Sequence, residues 1–165
     1  MRFYLVDRIL EIDPPRRIVA VKSLSLAEEY LADHFPAYPV LPGVMMLEAL
    51  VQTAAWLVRV KTDFEKSLVL LREAQNVRYG NFVRPGGQLV MEVEAIEIGA
   101  DSSRFKAVGQ CDGQQAVQAK LTLEHLNIGD EDPLRANLDA GLRTLLRERF
   151  RLVRGPQALA AQAPS

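Results

Sequence analysis

The sequence predicts an α+β protein: one long buried helix beside an antiparallel sheet of five or six strands. The first observation behind that reading is the run VMMLEALVQTAAWLV (44–58), apolar apart from Glu48, Gln52 and Thr53. A helix apolar on nearly every side belongs in a core. The second is a series of segments, 17–25, 67–79, 88–99, 103–113 and 114–126, that alternate apolar with polar residues or are rich in β-branched ones. The third is Asp112-Gly113, a strong hairpin signal between the last two of them.

The elements follow in order. Residues 4–12 alternate roughly and are punctuated by Asp13-Pro14-Pro15-Arg16, so 4–12 and 17–25 form an antiparallel hairpin. Pro36, Pro39 and Pro42 then recur every third residue. That spacing excludes a helix interior and a regular sheet ladder, and predicts a stiff, extended loop that enters the long helix at Pro42-Gly43. The apolar run of 15 residues spans about 22 Å, short of the roughly 30 Å of a bilayer's hydrocarbon core, and carries a carboxylate near its middle. It reads as a core helix, with no transmembrane segment. Three or four strands complete the sheet, with Pro85-Gly86-Gly87 in the loop between the first two.

From 129 onward the character changes, giving a division into a domain at 1–128 and an appendage at 129–165. Gly129-Asp130-Glu131-Asp132-Pro133 reads as an acidic, turn-rich linker. In 134–153, Leu134, Leu138, Leu142, Leu145, Leu146, Phe150 and Val153 recur at helical spacing, with Arg143, Arg147, Arg149 and Arg151 interleaved. Residues 133–165 hold six basic and two acidic residues, a net of +4, so this is a basic amphipathic helix. It is expected to lay its apolar face on the same domain or on a sister subunit, and the last ten residues, from Pro156, to form a frayed tail.

Composition narrows the function. The 165 residues are 48% hydrophobic and 25% charged, a globular balance, and 20 Lys plus Arg against 21 Asp plus Glu argue against a nucleic-acid binder. A single cysteine, Cys111, rules out an intramolecular disulfide and fits a reducing compartment, and the start lacks the apolar stretch of a signal peptide. The expected location is cytoplasmic. No Gly-rich phosphate loop and no His/Cys/Asp/Glu cluster at metal-ligand spacing is present.

The chemistry concentrates around the long helix. Glu48 in so apolar a setting is expected to be buried, which costs several kcal/mol unless the carboxylate is paired or kept neutral. Gln52, one turn on, shares its face and can hydrogen-bond it. His34 sits in the triple-proline loop, and a loop histidine with a buried glutamate offers a base and an acid that converge on neutrality. The unpaired N–H groups at the helix start that Pro42-Gly43 marks, backed by the helix dipole, would stabilise charge on an acyl oxygen. On the helix alone, a purely structural Glu–Gln network is an equal reading.

The run His34-Phe35-Pro36-Ala37-Tyr38-Pro39-Val40-Leu41-Pro42-Gly43-Val44, followed by Glu48-Ala49 and Gln52, resembles the signature of (3R)-hydroxyacyl-[acyl carrier protein] dehydratases of the FabZ type, matching it at ten positions. The likeness extends to Leu5-Val6-Asp7-Arg8, Arg78-Tyr79, Pro85-Gly86 and Arg104-Phe105-Lys106, and covers about 2–126 but not the C-terminal helix. It implies a hot-dog fold, in which the sheet wraps round a central helix at 43–60, and homodimers that commonly assemble by threes into hexamers. It also implies a site shared between protomers. There His34 removes the C2 proton, Glu48 protonates or orients the departing C3 hydroxyl, Gln52 fixes the carboxyl and the Gly43 N–H holds the thioester oxygen. Phe35 and Val44 border the substrate, acyl carrier protein with its phosphopantetheine-linked acyl group is the partner, and no cofactor is needed. Glu rather than Asp at position 48 favours this type over the dehydratase–isomerases.

Some positions depart from the pattern. Asp33 and Ala37 replace glycines, and in the 80–87 loop Phe82 replaces a proline and Gly87 an aspartate. Ala37 is expected to resist a positive φ. Arg78, Arg84, Arg104 and Lys106 are the expected basic patch for an acidic carrier. The alternatives are a hot-dog thioesterase, a coenzyme A hydratase, or a non-catalytic acyl-thioester-binding subunit. Outside the motif, His125 reads as structural and Cys111, Met45, Met46 and Trp56 as core.

Overall fold

The computed structural model describes residues 3–161. Six strands, β1 (Arg8–Asp13), β2 (Arg17–Ser23), β3 (Leu68–Tyr79), β4 (Gln88–Ile98), β5 (Ser102–Cys111) and β6 (Gln114–Leu126), form one antiparallel sheet in the order β1-β2-β4-β5-β6-β3. Helix α1 (Gly43–Lys61) lies against its inner face. Alternation decides which side chains meet it: Leu89, Met91 and Val93 of β4, Phe105 and Ala107 of β5 and Leu121 and Leu123 of β6 point inward. They close on Ala49, Leu50, Ala54, Leu57 and Val58 of α1, all buried. The Asp112-Gly113 turn has positive φ at both residues, 52° and 74°, the twist that a two-residue hairpin needs.

Three expectations are corrected. Residues 4–7 are not strand, since β1 begins at Arg8, and the Leu5 amide donates instead to Gln52 Oε1 (2.9 Å). The triple-proline loop is compact rather than extended: a 3-10 turn (Glu29–Ala32) leads into Phe35 and Tyr38, which exchange backbone bonds (2.9 and 3.4 Å). Val40 N–H donates to the His34 carbonyl (3.1 Å) and Leu41 N–H to the Val83 carbonyl (2.9 Å). The prolines lack N–H groups, so the donors in the loop are the N–H groups of its other residues, Phe35, Tyr38, Val40 and Leu41. Ala37 sits there without a positive φ. Thirdly, the acidic linker is the helical turn α2 (Ile128–Glu131), entered through an Asn127/Asp130 capping box.

Helix α1 has 19 residues and is apolar enough by length and composition to cross a membrane, yet over half of its most apolar stretch is buried inside the fold. Arg59 and Lys61 in its last turn suit the helix dipole.

The basic helix is α3 (Ala136–Leu152), and it docks on the same domain. Phe150 packs between Trp56 and Phe64, with ring centroids 5.7 Å from each. Arg147 donates to Asp63 Oδ1 (3.0 Å) and to the Asp63 carbonyl (2.6 Å), and its guanidinium lies over the Phe64 ring. Ile9 N–H donates to the Val153 carbonyl (2.8 Å), closing the open edge of β1. Asp139 is buried, accepting from the Ser67 hydroxyl and from the Ile128 and Gly129 amides, bonds that hold its carboxyl below the usual range. The docking stripe is narrower than the leucine pattern suggests, because Leu134, Leu138, Leu145 and Leu152 face solvent.

The expected frayed tail is also corrected. A helix, α4 (Gly155–Ala160), follows Arg154, whose φ is 61°. Gly155 lies under the Phe150 ring, where a Cβ would come within 2.1 Å of it, and Pro156 suits the first helical turn. The end of that tail, 162–165, lies outside the described residues. Phe150→Ala should remove about 3–5 kcal/mol of stability, read as a lowered denaturant midpoint.

Candidate active site

Helix α1 presents its N-terminus and one side to solvent. The sheet covers the opposite side, and on the open one lie Val44 (71% exposed) and Glu48. The expectation of a buried Glu48 is therefore corrected for the single chain: a sheet packs on one side of a helix, and nothing among the described residues covers the other side at that level. Gln52 does what its i+4 position predicts. Its Nε2 donates to Glu48 Oε1 (2.9 Å) and to the Phe3 carbonyl (2.9 Å), while its Oε1 accepts from the Leu5 amide. One half-buried amide thus orients the carboxylate and clips the N-terminal segment across α1.

At the first turn, Met45 and Met46 N–H groups donate to the Pro42 carbonyl, whereas Gly43 and Val44 N–H groups have no acceptor among the described residues. They form a small positive end on the same side as Glu48. The Tyr79 ring lies over Gly43, where a Cβ would meet it at 3.1 Å, so Gly43 keeps that approach open. Nothing in composition or periodicity singled out Tyr79, and only its place in the Arg78-Tyr79 likeness pointed to it.

His34 is half-buried on the loop, and its ring stacks on Phe35 at 4.3 Å. It makes no hydrogen bond to Glu48 or, among the described residues, to any other side chain. Asp33 is exposed and makes no ion pair with it. Phe35, Tyr38, Phe82 and Tyr79 are exposed aromatics round this end of α1; Phe82 meets Tyr38 edge-on at 6.3 Å and the Arg84 guanidinium lies over the Tyr38 ring at 4.6 Å.

The expected basic patch divides. Arg78 and Lys106 line a shallow concavity on the outer sheet face together with Lys120, Arg104 is bonded to Glu97 (2.8 Å), and Arg84 stands apart beside Tyr38. His125 is buried with Nδ1 at 3.3 Å from the Ala100 carbonyl, and desolvation lowers its pKa, as befits a structural side chain. Cys111 is buried and its thiol is pushed up by that burial. No cluster of three or more potential metal-ligating side chains exists among the described residues.

Comparison with known proteins adds the family. The FabA-like domain matches residues 1–121. The 3-hydroxyacyl-[acyl-carrier-protein] dehydratase FabZ of Bacillus thuringiensis (strain Al Hakam) is 40% identical over 129 residues, covering 78% of this chain and 88% of the relative. FabZ of Bacillus mycoides (strain KBAB4) gives the same figures. Among solved structures, the dehydratase heterocomplex ApeI:P of Xenorhabdus doucetiae superposes with a TM-score of 0.65 at 16% identity, over 79% of this chain and 88% of that one. A mutant thioesterase of Pseudomonas aeruginosa does so with a TM-score of 0.57 at 17% identity, over 72% and 80%. These structural likenesses identify the hot-dog fold.

Because Gln52 joins three groups at once, Gln52→Ala should cost about 1–2 kcal/mol of stability in denaturant titrations, while the shape-matched Gln52→Glu should fail to restore it, since a carboxylate cannot donate to the Phe3 carbonyl.

Proposed function

The chain belongs to the FabA-like family, with FabZ-type dehydratases as its relatives, and on that premise we propose that it dehydrates (3R)-3-hydroxyacyl thioesters on acyl carrier protein to trans-2-enoyl thioesters. The observation that carries the reading is the arrangement on the open side of α1: two free N–H groups at Gly43 and Val44, then the Gln52-held carboxylate of Glu48. Five residues of helix separate Gly43 from Glu48, about 7.5 Å of rise. A thioester oxygen at the helix end then leaves the C3 hydroxyl within reach of the carboxyl group. There Glu48 protonates or orients the departing hydroxyl and Gln52 fixes the carboxyl. The amide dipoles stabilise the enolate-like charge on the oxygen as the C2–H bond breaks. His34 takes that C2 proton, the C3–O bond breaks as the double bond forms, and water leaves. Phe35 and Val44 border the acyl group as apolar walls.

Within one chain His34 and Glu48 make no hydrogen bond, and in this reading the base comes from a second copy. Strand β3 supports this: it is a sheet edge twelve residues long with no neighbour on its outer side among the described residues, and Leu70, Leu71 and Tyr79 along it are exposed. Long uncovered edges invite pairing. Edge-to-edge pairing of β3 with its counterpart gives a homodimer, and three dimers give a hexamer. The acidic carrier meets the site through Arg84, which stands beside the His34 loop, rather than through the cations of the outer sheet face. A reducing cytoplasm suits the buried free thiol of Cys111. Thioester hydrolysis needs only a carboxylate to activate water, and the closed loop that positions His34 is superfluous for it.

Enoyl formation from a (3R)-hydroxyacyl carrier substrate, followed by ultraviolet absorbance, tests the reading. Wild type should turn over, and His34→Ala and Glu48→Gln should each lose about a hundredfold or more. Release of free thiol in place of enoyl product would mean a thioesterase, and thioester binding without turnover would mean a non-catalytic subunit.

A further inference from the structure

The cavity beside Glu48 has a wall that the FabA-like match, ending at residue 121, does not include. Its volume is about 260 Å³, and it is lined by Glu48, Gln52, Trp56 and Arg59 of α1 and by Leu146 and Arg149 of α3. The α1 members recur every three to four residues, so they form a stripe running from the carboxylate toward the C-terminal end of the helix. Between Glu48 and Trp56 the helix rises about 12 Å, close to the length of an extended chain of about ten carbons. At that distance stands α3.

The far end differs in chemistry from the stretch leading to it. Val51, Ala55 and Trp56 make an apolar floor. Beyond them two guanidiniums lie over rings, Arg149 over Tyr4 at 4.0 Å and Arg59 over Trp56 at 5.2 Å. Neither has a carboxylate partner among the described residues, and Arg59 Nε is buried without a hydrogen-bond acceptor. Methylenes pressed against such groups would strip the water that a cation otherwise keeps. The wall is also firmly held. Phe150 is wedged between Trp56 and Phe64, Arg147 is bonded twice to Asp63, and Val153 is tied to β1.

We propose that α3 is an acyl-length stop: Leu146 and Arg149 close the far end of the acyl cavity and confine the enzyme to 3-hydroxyacyl chains of up to about ten to twelve carbons. The inference rests on the acyl-thioester reading above, and it makes an element outside the family's shared domain the specificity determinant. Leu146 supplies the apolar stop, and Arg149 makes further extension unfavourable.

The test compares kcat/KM for (3R)-hydroxyacyl carrier substrates of about four to sixteen carbons in wild type, Leu146→Ala, Leu146→Trp and Glu148→Ala, the last on the exposed side of the same helix. Binding of saturated acyl-pantetheine thioesters of the same lengths is measured in parallel. Wild type and Glu148→Ala should fall by about tenfold or more between ten and fourteen carbons. Leu146→Ala should move that fall to longer chains by about two carbons or more, and Leu146→Trp should move it to shorter ones. A flat profile to sixteen carbons, or a fall at one length in all four proteins, would overturn the proposal. If saturated thioesters bind with this length dependence but no hydroxyacyl substrate turns over, dehydration fails as the reaction while the stop stands.

Discussion

One constraint organises this protein: a largely apolar helix of 19 residues that a single six-stranded sheet can cover on one side only. The covered side is the core, where Ala49, Leu50, Ala54 and Leu57 have no measurable exposure. Burying those side chains is the main favourable term available to a chain of this size. The uncovered side carries the polar residues that the core could not accept, Glu48 and Gln52. Site and core are two faces of one helix, so the residues that stabilise the fold also fix the position of the carboxylate.

The open side is covered in two places and bare in a third. Near the middle of the helix, Gln52 clips Phe3 and Leu5 across it with two hydrogen bonds and holds Glu48 with a third, one side-chain amide giving and receiving at once. Toward the C-terminal end, α3 closes over Trp56 and Phe64 with Phe150, and arginines bridge the seam through ring faces and carbonyls rather than through buried carboxylates. Such contacts satisfy guanidinium groups without the desolvation penalty of a buried ion pair. At the N-terminal end nothing among the described residues covers Val44, Glu48 and the free amides, and the proposed reading fills that gap with the His34 loop of a second copy.

Much of this was legible in the sequence, for physical reasons that differ by element. The strands and the Asp112-Gly113 hairpin declare themselves through period-two alternation and a turn residue tolerant of positive φ, both local properties. The Glu48–Gln52 bond follows from helical spacing alone. Burial of Glu48 was misjudged because coverage of a helix is set by how many layers the fold provides, which no local pattern records. The proline loop was misread as extended because its bonds come from Tyr38, Val40 and Leu41, whose partners are set by closure of the loop rather than by spacing. Helix α4 was hidden because it depends on Gly155 lying under a ring five residues earlier in the chain. Leu146 and Arg149 reach the cavity only through tertiary docking, about a hundred residues from Glu48 in sequence.

The central claim is that catalysis needs the open side of one α1 and the His34 loop of another copy, and subunit mixing tests it most directly. His34→Ala and Glu48→Gln are each prepared inactive, mixed in equal amounts under conditions that exchange subunits, and assayed for enoyl formation. In a two-fold dimer half of the protein becomes heterodimer, each with one intact site, so the account predicts recovery of about a quarter of wild-type activity. A mixture that exchanges subunits and stays as inactive as its parents would place both groups in one chain and contradict it.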